Sequence, residues 1–133
     1  MSRERPIQRA VVAYLRQVLP DAIVHHSVNE QALSGRDRRG AAIAMRNAKL
    51  DGMSPGFPDV IVLSWAHMPV MLFEVKAEGG RLTQGQRATQ EHLRTLGHKI
   101  AVVRSVDDVR EALAEWGIAS REVVKIPMKG TII

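Results

Sequence analysis

Apolar residues recur along this chain with two different periods, and their alternation sketches a mixed helix and strand domain. Over residues 6–19, Ile7, Val11, Tyr14, Leu15, Val18 and Leu19 fall at three- and four-residue steps, leaving Arg9, Arg16 and Gln17 on the other side. That spacing predicts an amphipathic helix. Pro6 suits its first turn, where a missing N–H does no harm, and Pro20-Asp21 ends it. Residues 22–28 are short and β-branched, with Ile23, Val24 and Val28, and predict a first strand. His25 and His26 within it point to opposite faces, so they read as surface or core residues rather than as a chelating pair.

Residues 29–54 begin as a loop marked by Ser34-Gly35 and Gly40, and the alanine-rich stretch 41–50 then predicts a short helix. Two apolar runs, 58–64 and 70–77, are joined by Ser64 to Pro69, which can turn the chain into an antiparallel hairpin. After the Gly79-Gly80 turn, Thr83 and Gln86 have the spacing of a capping box, and the helix they start runs to Gly97. Residues 99–104 are apolar on both faces and predict an interior strand. Ser105 and Asp108 cap a last helix whose buried stripe is Val109, Leu113 and Trp116, ending at Gly117. The tail predicts a short strand around residues 122–126, and Thr131-Ile132-Ile133 could pack on a second subunit.

Composition narrows the setting. A chain of 133 residues, 45% apolar, has room for one domain spanning 1–133 and shows no linker or repeat. No apolar run approaches the roughly 18 residues that span a bilayer, so no membrane partner is expected. The polar amino terminus is not a signal peptide, so the expected address is cytoplasmic, either the bacterial cytoplasm or a phage-infected host cell. With no cysteine, disulfides and thiolate metal sites are excluded. A net charge of +5 fits a polyanionic partner, and its distribution says more than its total. Arg36, Arg38, Arg39, Arg46 and Lys49 stand against the single acid Asp37, which suits a phosphate backbone as well as a solvated face.

The chemistry concentrates on the hairpin. Asp59 opens its first strand and faces the second near Glu74, while Glu74 and Lys76 alternate onto one face with Val75 on the other. Two acids and a lysine thus meet on an otherwise apolar sheet, where unpaired charge costs several kcal/mol, roughly. One explanation is an ion pair of Lys76 with an acid at a solvated strand edge. The other is a divalent-cation site, because carboxylates are the hard oxygen ligands Mg2+ prefers and its retained waters can act on a phosphate. Gln86 is either only a helix cap or an amide presented to this site. Glu4 and Gln8, four residues apart, either share a face of the first helix or solvate its end.

The order helix, strand, hairpin with Asp and Glu-x-Lys, helix, strand resembles the PD-(D/E)xK nucleases, and more narrowly the VRR-NUC family of virus-type replication and repair nucleases. The likeness rests on Glu4-Arg-Pro-Ile-Gln8, Asn29, Gly56-Phe-Pro-Asp59, Phe73-Glu-Val-Lys76, Leu82-Thr-Gln-Gly-Gln86 and the strand from Gly97 to Val103. The chain departs from the family pattern at Pro6 and after Asn29. The resemblance implies an α/β, restriction-endonuclease-like core, a mixed sheet of about four strands in αβββαβ order with an added C-terminal helix. It implies a metal-dependent endonuclease on DNA, using Mg2+ or alternatively Mn2+, with stand-alone members pairing as homodimers on branched DNA such as Holliday junctions. By position, Asp59, Glu74 and the Val75 carbonyl would hold the metal with support from Glu4. Lys76 would orient the attacking water or stabilise the phosphate, and Gln8 and Gln86 would complete the polar shell. The alternatives are a DNA-binding module without catalysis, or a nuclease of flaps, linear DNA or RNA.

Overall fold

A computed structural model describes residues 3–27, 37–65 and 68–121. Its elements run α1 (Glu4–Val18), β1 (Ile23–His26), α2 (Arg38–Leu50), β2 (Val60–Leu63), β3 (Met71–Val75), α3 (Gln84–Thr95), β4 (Lys99–Val103) and α4 (Val106–Glu115). The strands form one mixed sheet in the order β1-β2-β3-β4, antiparallel except for the parallel β3–β4 pair. Among the described residues, α2, between β1 and β2, is the one helix outside the αβββαβ order with its C-terminal addition.

The register sorts the side chains into two faces. Val60 pairs with Phe73, Val62 with Met71 and Val75 with Val103, so these residues share one face. That face packs on Val11, Leu15 and Val18 of α1 and on Val109 and Leu113 of α4 as a single core. Phe73 meets Trp116 there at 5.5 Å between ring centroids, which makes this tryptophan a core residue. Leu72, Glu74, Ile100 and Val102 lie on the other face, and Leu72 and Ile100 are buried outside that core. α3 covers this second face over β4 and reaches β3 at Glu74.

Two expectations change. β4 is an edge strand among the described residues rather than an interior one, because its apolar faces are covered by helices and not by a further strand. α2 starts at Arg38 rather than 41, because Asp37 Oδ1 accepts the Gly40 N–H at 2.6 Å and caps it. Arg38 and Arg39 therefore belong to its first turn, not to a loop. Pro6 is accommodated early in α1, and Glu4 is helical. Asn29, Arg36, the expected strand at 122–126 and the terminal Thr131-Ile132-Ile133 lie outside the described residues. No helix among the described residues is long and apolar enough to cross a membrane.

Candidate active site

The hairpin register builds the site. Val60 pairs with Phe73 and Ile61 with Leu72, so one step further along both strands sets Asp59 opposite Glu74. The Val75 N–H donates to Asp59 Oδ2 at 2.7 Å, tying the two strand ends together through the carboxylate itself. On β1, the Ser27 N–H and the His26 Nδ1 both reach the Asp59 carbonyl, at 2.8 and 3.1 Å. Its peptide is therefore pinned from one side and its side chain from the other. Glu74 and Lys76 alternate onto Asp59's face, and Asp59, Glu74 and Lys76 are 3%, 2% and 8% exposed. Three ionisable groups are thus buried at one end of the α3-covered face.

α3 closes the site from above, and Gly56 decides how closely. Gly56 has φ +77, and a Cβ there would lie 2.8 Å from the Gly85 carbonyl carbon and oxygen. Only glycine allows this approach, which presses the segment leading to Asp59 against the first turn of α3. In that turn the Gln86 N–H donates to Thr83 Oγ1 at 3.1 Å, and the Thr83 N–H donates to Gln86 Oε1 at 2.9 Å. Gln86 Nε2 remains free and donates to Glu74 Oε2 at 3.2 Å. Gln86 is therefore both the capping residue and a partner of the acidic pair, because the box engages its oxygen and leaves its NH2.

The electrostatics follow from burial. The Glu74 carboxyl is pushed up from 4.5 to about 9, first by burial, then by the charge and hydrogen bonding of Asp59. Lys76 opposes this and Glu4 adds to it, so Glu4 lies near enough for its charge to be felt. Two facing carboxylates are both acceptors, and only a proton or a cation between them turns the contact into an attraction. Lys76 forms no direct ion pair with either acid; the ion pairs of the described residues are Arg94–Glu91 and Arg110–Asp107. The strand-edge ion pair therefore does not explain the cluster.

A divalent cation fits these residues. Glu74 Oε1 is buried without a hydrogen-bond partner, and an acceptor orphaned beside a second carboxylate is what an oxygen-seeking ion would satisfy. No group of three or more His, Cys, Asp or Glu side chains converges to hold a metal among the described residues. Two carboxylates suit Mg2+, which keeps several waters and takes few protein ligands.

Of the other residues singled out by sequence, Gln8 is half-buried and makes no hydrogen bond to the cluster among the described residues. Arg38, Arg39, Arg46 and Lys49 are all exposed on α2, a helix with no buried residue. Sequence reasoning took His26 only as a surface or core histidine and read nothing into Gln90, which is 2% exposed on α3. The position of His26 beside Asp59 depends on β1–β2 pairing, which no local pattern announces.

Open mixed sheet, flanking helices and an acidic hairpin end together define an α/β protein of nuclease type. Residues 4–107 match the VRR-NUC domain, and the chain belongs to the VRR-NUC family. Nucleases of this family generally use divalent metals. A solved structure described as a VRR-NUC domain protein shares the fold with a TM-score of 0.61, over 90% of this chain and 97% of that chain, at 18% identity. Comparison with curated proteins finds no match.

Proposed function

We propose that this chain is an Mg2+-dependent endonuclease that hydrolyses DNA phosphodiester bonds, with Mn2+ able to substitute. The observation that carries the reading is the buried Asp59–Glu74 pair with its unpartnered Oε1, beside a buried Lys76 that neither acid engages directly. Asp59 and Glu74 would hold the ion, with the Val75 carbonyl as a further oxygen and Glu4 adding negative charge nearby. When bound, the ion supplies polarisation of a phosphate oxygen and acidification of the attacking water. Gln86 orients Glu74 through its Nε2, and Gly56 lets α3 approach closely enough for it to do so. Lys76 orients the water or balances charge growing on the phosphate, a role open to an ammonium that forms no ion pair among the described residues. Gln8 is assigned to the outer polar shell.

The basic side chains of α2, Arg38, Arg39, Arg46 and Lys49, with Arg36 before them, would contact the DNA backbone. Homodimerisation belongs to the same reading, as does a branched substrate in replication, repair or recombination, since two copies present two sites to two strands. Ile23 and Leu63, paired across β1 and β2 and 64% and 44% exposed, offer apolar surface that a second copy would cover. Residues 1–133 act as one cytoplasmic unit in this proposal.

The test is incubation of purified protein with four-way, flap, splayed and linear DNA and with RNA, in Mg2+, Mn2+ or EDTA. Metal-dependent cleavage with preference for junctions is the expected result. Cleavage in EDTA would refute the mechanism, and binding without cleavage under any metal would favour a purely DNA-binding module. Sizing at micromolar concentration tests the dimer.

A further inference from the structure

The polar groups buried beneath α3 continue one turn past Gln86. Gln90 is 2% exposed, and its Nε2 has no hydrogen-bond partner. It follows Gln86 by four residues, so the two side chains lie on one stripe of the helix. That stripe faces the sheet, because Gln86 reaches Glu74 at 3.2 Å. A carboxamide NH2 buried without a partner is disfavoured at a position where an apolar side chain would pack without that cost. The same face holds a second orphan of opposite kind, the acceptor Glu74 Oε1. The remaining orphan among the described residues, Ser64 Oγ, follows the far end of β2 from Asp59 and belongs to neither. One buried water that accepts from the first and donates to the second would satisfy both.

We propose that Gln90 is a positioning residue of this site, holding through one buried water the same Glu74 carboxylate that Gln86 holds directly. Two successive turns of α3 then fix the carboxylate's orientation toward a divalent ion. The consequence for the ion rests on Glu74 being a ligand, as proposed above; the Gln90–water–Glu74 link does not. Outer partners of this kind typically change metal affinity by about 10- to 100-fold when removed.

The link is read first without metal, from the side-chain amide signals of Gln90 in 15N-labelled protein. They should be protected from solvent exchange and should shift on Glu74→Ala. Calorimetric titration with Mn2+ then compares wild type with Gln90→Leu, which should bind about 10-fold more weakly while melting at or above the wild-type temperature. Amide signals indifferent to Glu74→Ala, or unchanged Mn2+ affinity in Gln90→Leu, would overturn the proposal. Wild-type protein that binds no Mn2+ refutes the metal reading instead, and the amide shift still decides the link.

Discussion

At neutral pH the metal-free fold holds a proton that the unfolded chain has released. Glu74 titrates near 4.5 when unfolded and near 9 in the fold, where burial and the facing Asp59 disfavour its charge. The native state therefore binds more protons than the unfolded state between these values, and stability falls as pH rises. Below 4.5 this contribution is fully present; it is lost progressively up to about 9 and is flat beyond. In the middle of the window the slope is about 1.4 kcal/mol per pH unit, so from pH 6 to 8 the metal-free protein loses about 3 kcal/mol from this source. Glu74→Gln keeps an acceptor for Gln86 Nε2 and removes the titration. Urea unfolding in EDTA at pH 6, 7 and 8 should show the variant gaining on wild type by that amount, and excess Mg2+ should restore wild type at pH 8 by replacing the proton. Parallel profiles for the two proteins would refute the reasoning, since every other titrating group is common to both.

Three further outcomes follow from the geometry. Lys76→Met should reduce cleavage by roughly 10²-fold or more while leaving urea stability unchanged or higher, because a buried ammonium without a direct ion pair adds little to the fold; retained activity would contradict its role. Gly56→Ala should destabilise by more than Gly52→Ala in thermal melts. Both have positive φ, but a Cβ at Gly56 meets Gly85 at 2.8 Å and one at Gly52 meets nothing within 4 Å; equal losses would deny that the approach to α3 matters. Arg46→Glu with Lys49→Glu should weaken DNA binding similarly on all substrate shapes and reduce the salt dependence by about two phosphate contacts, with Mn2+ affinity intact. Unchanged salt dependence in a binding titration would remove α2 from the DNA path.

Much of the fold is written locally. The Val11, Leu15 and Val18 stripe of α1, the Thr83 and Ser105 caps and the two hairpin runs announce themselves because period and capping chemistry act within a few residues. The Asp59–Glu74 pairing was legible for the same reason, since a hairpin sets its register through short-range geometry. What was not legible depends on contacts distant in sequence. β4 reads as interior because apolarity on two faces does not say whether strands or helices cover them. Whether Gln86 serves the cap or the site is undecidable from spacing, and the fold answers that it serves both, through different atoms. The hydrogen bond from His26 to the Asp59 carbonyl and the burial of Gln90 appear only once β1 and α3 are laid against the hairpin.

The most direct measurement is single-turnover cleavage of labelled DNA by Asp59→Asn in saturating Mg2+. An asparagine oxygen can still accept the Val75 N–H that Asp59 Oδ2 accepts at 2.7 Å, so the fold should persist while one of two facing charges is lost. The expected result is a cooperative melt in EDTA, which shows the variant folded, with cleavage and Mn2+ binding abolished. Cleavage at the wild-type rate by the folded variant would contradict the assignment of this acidic pair as the metal-holding centre of a nuclease.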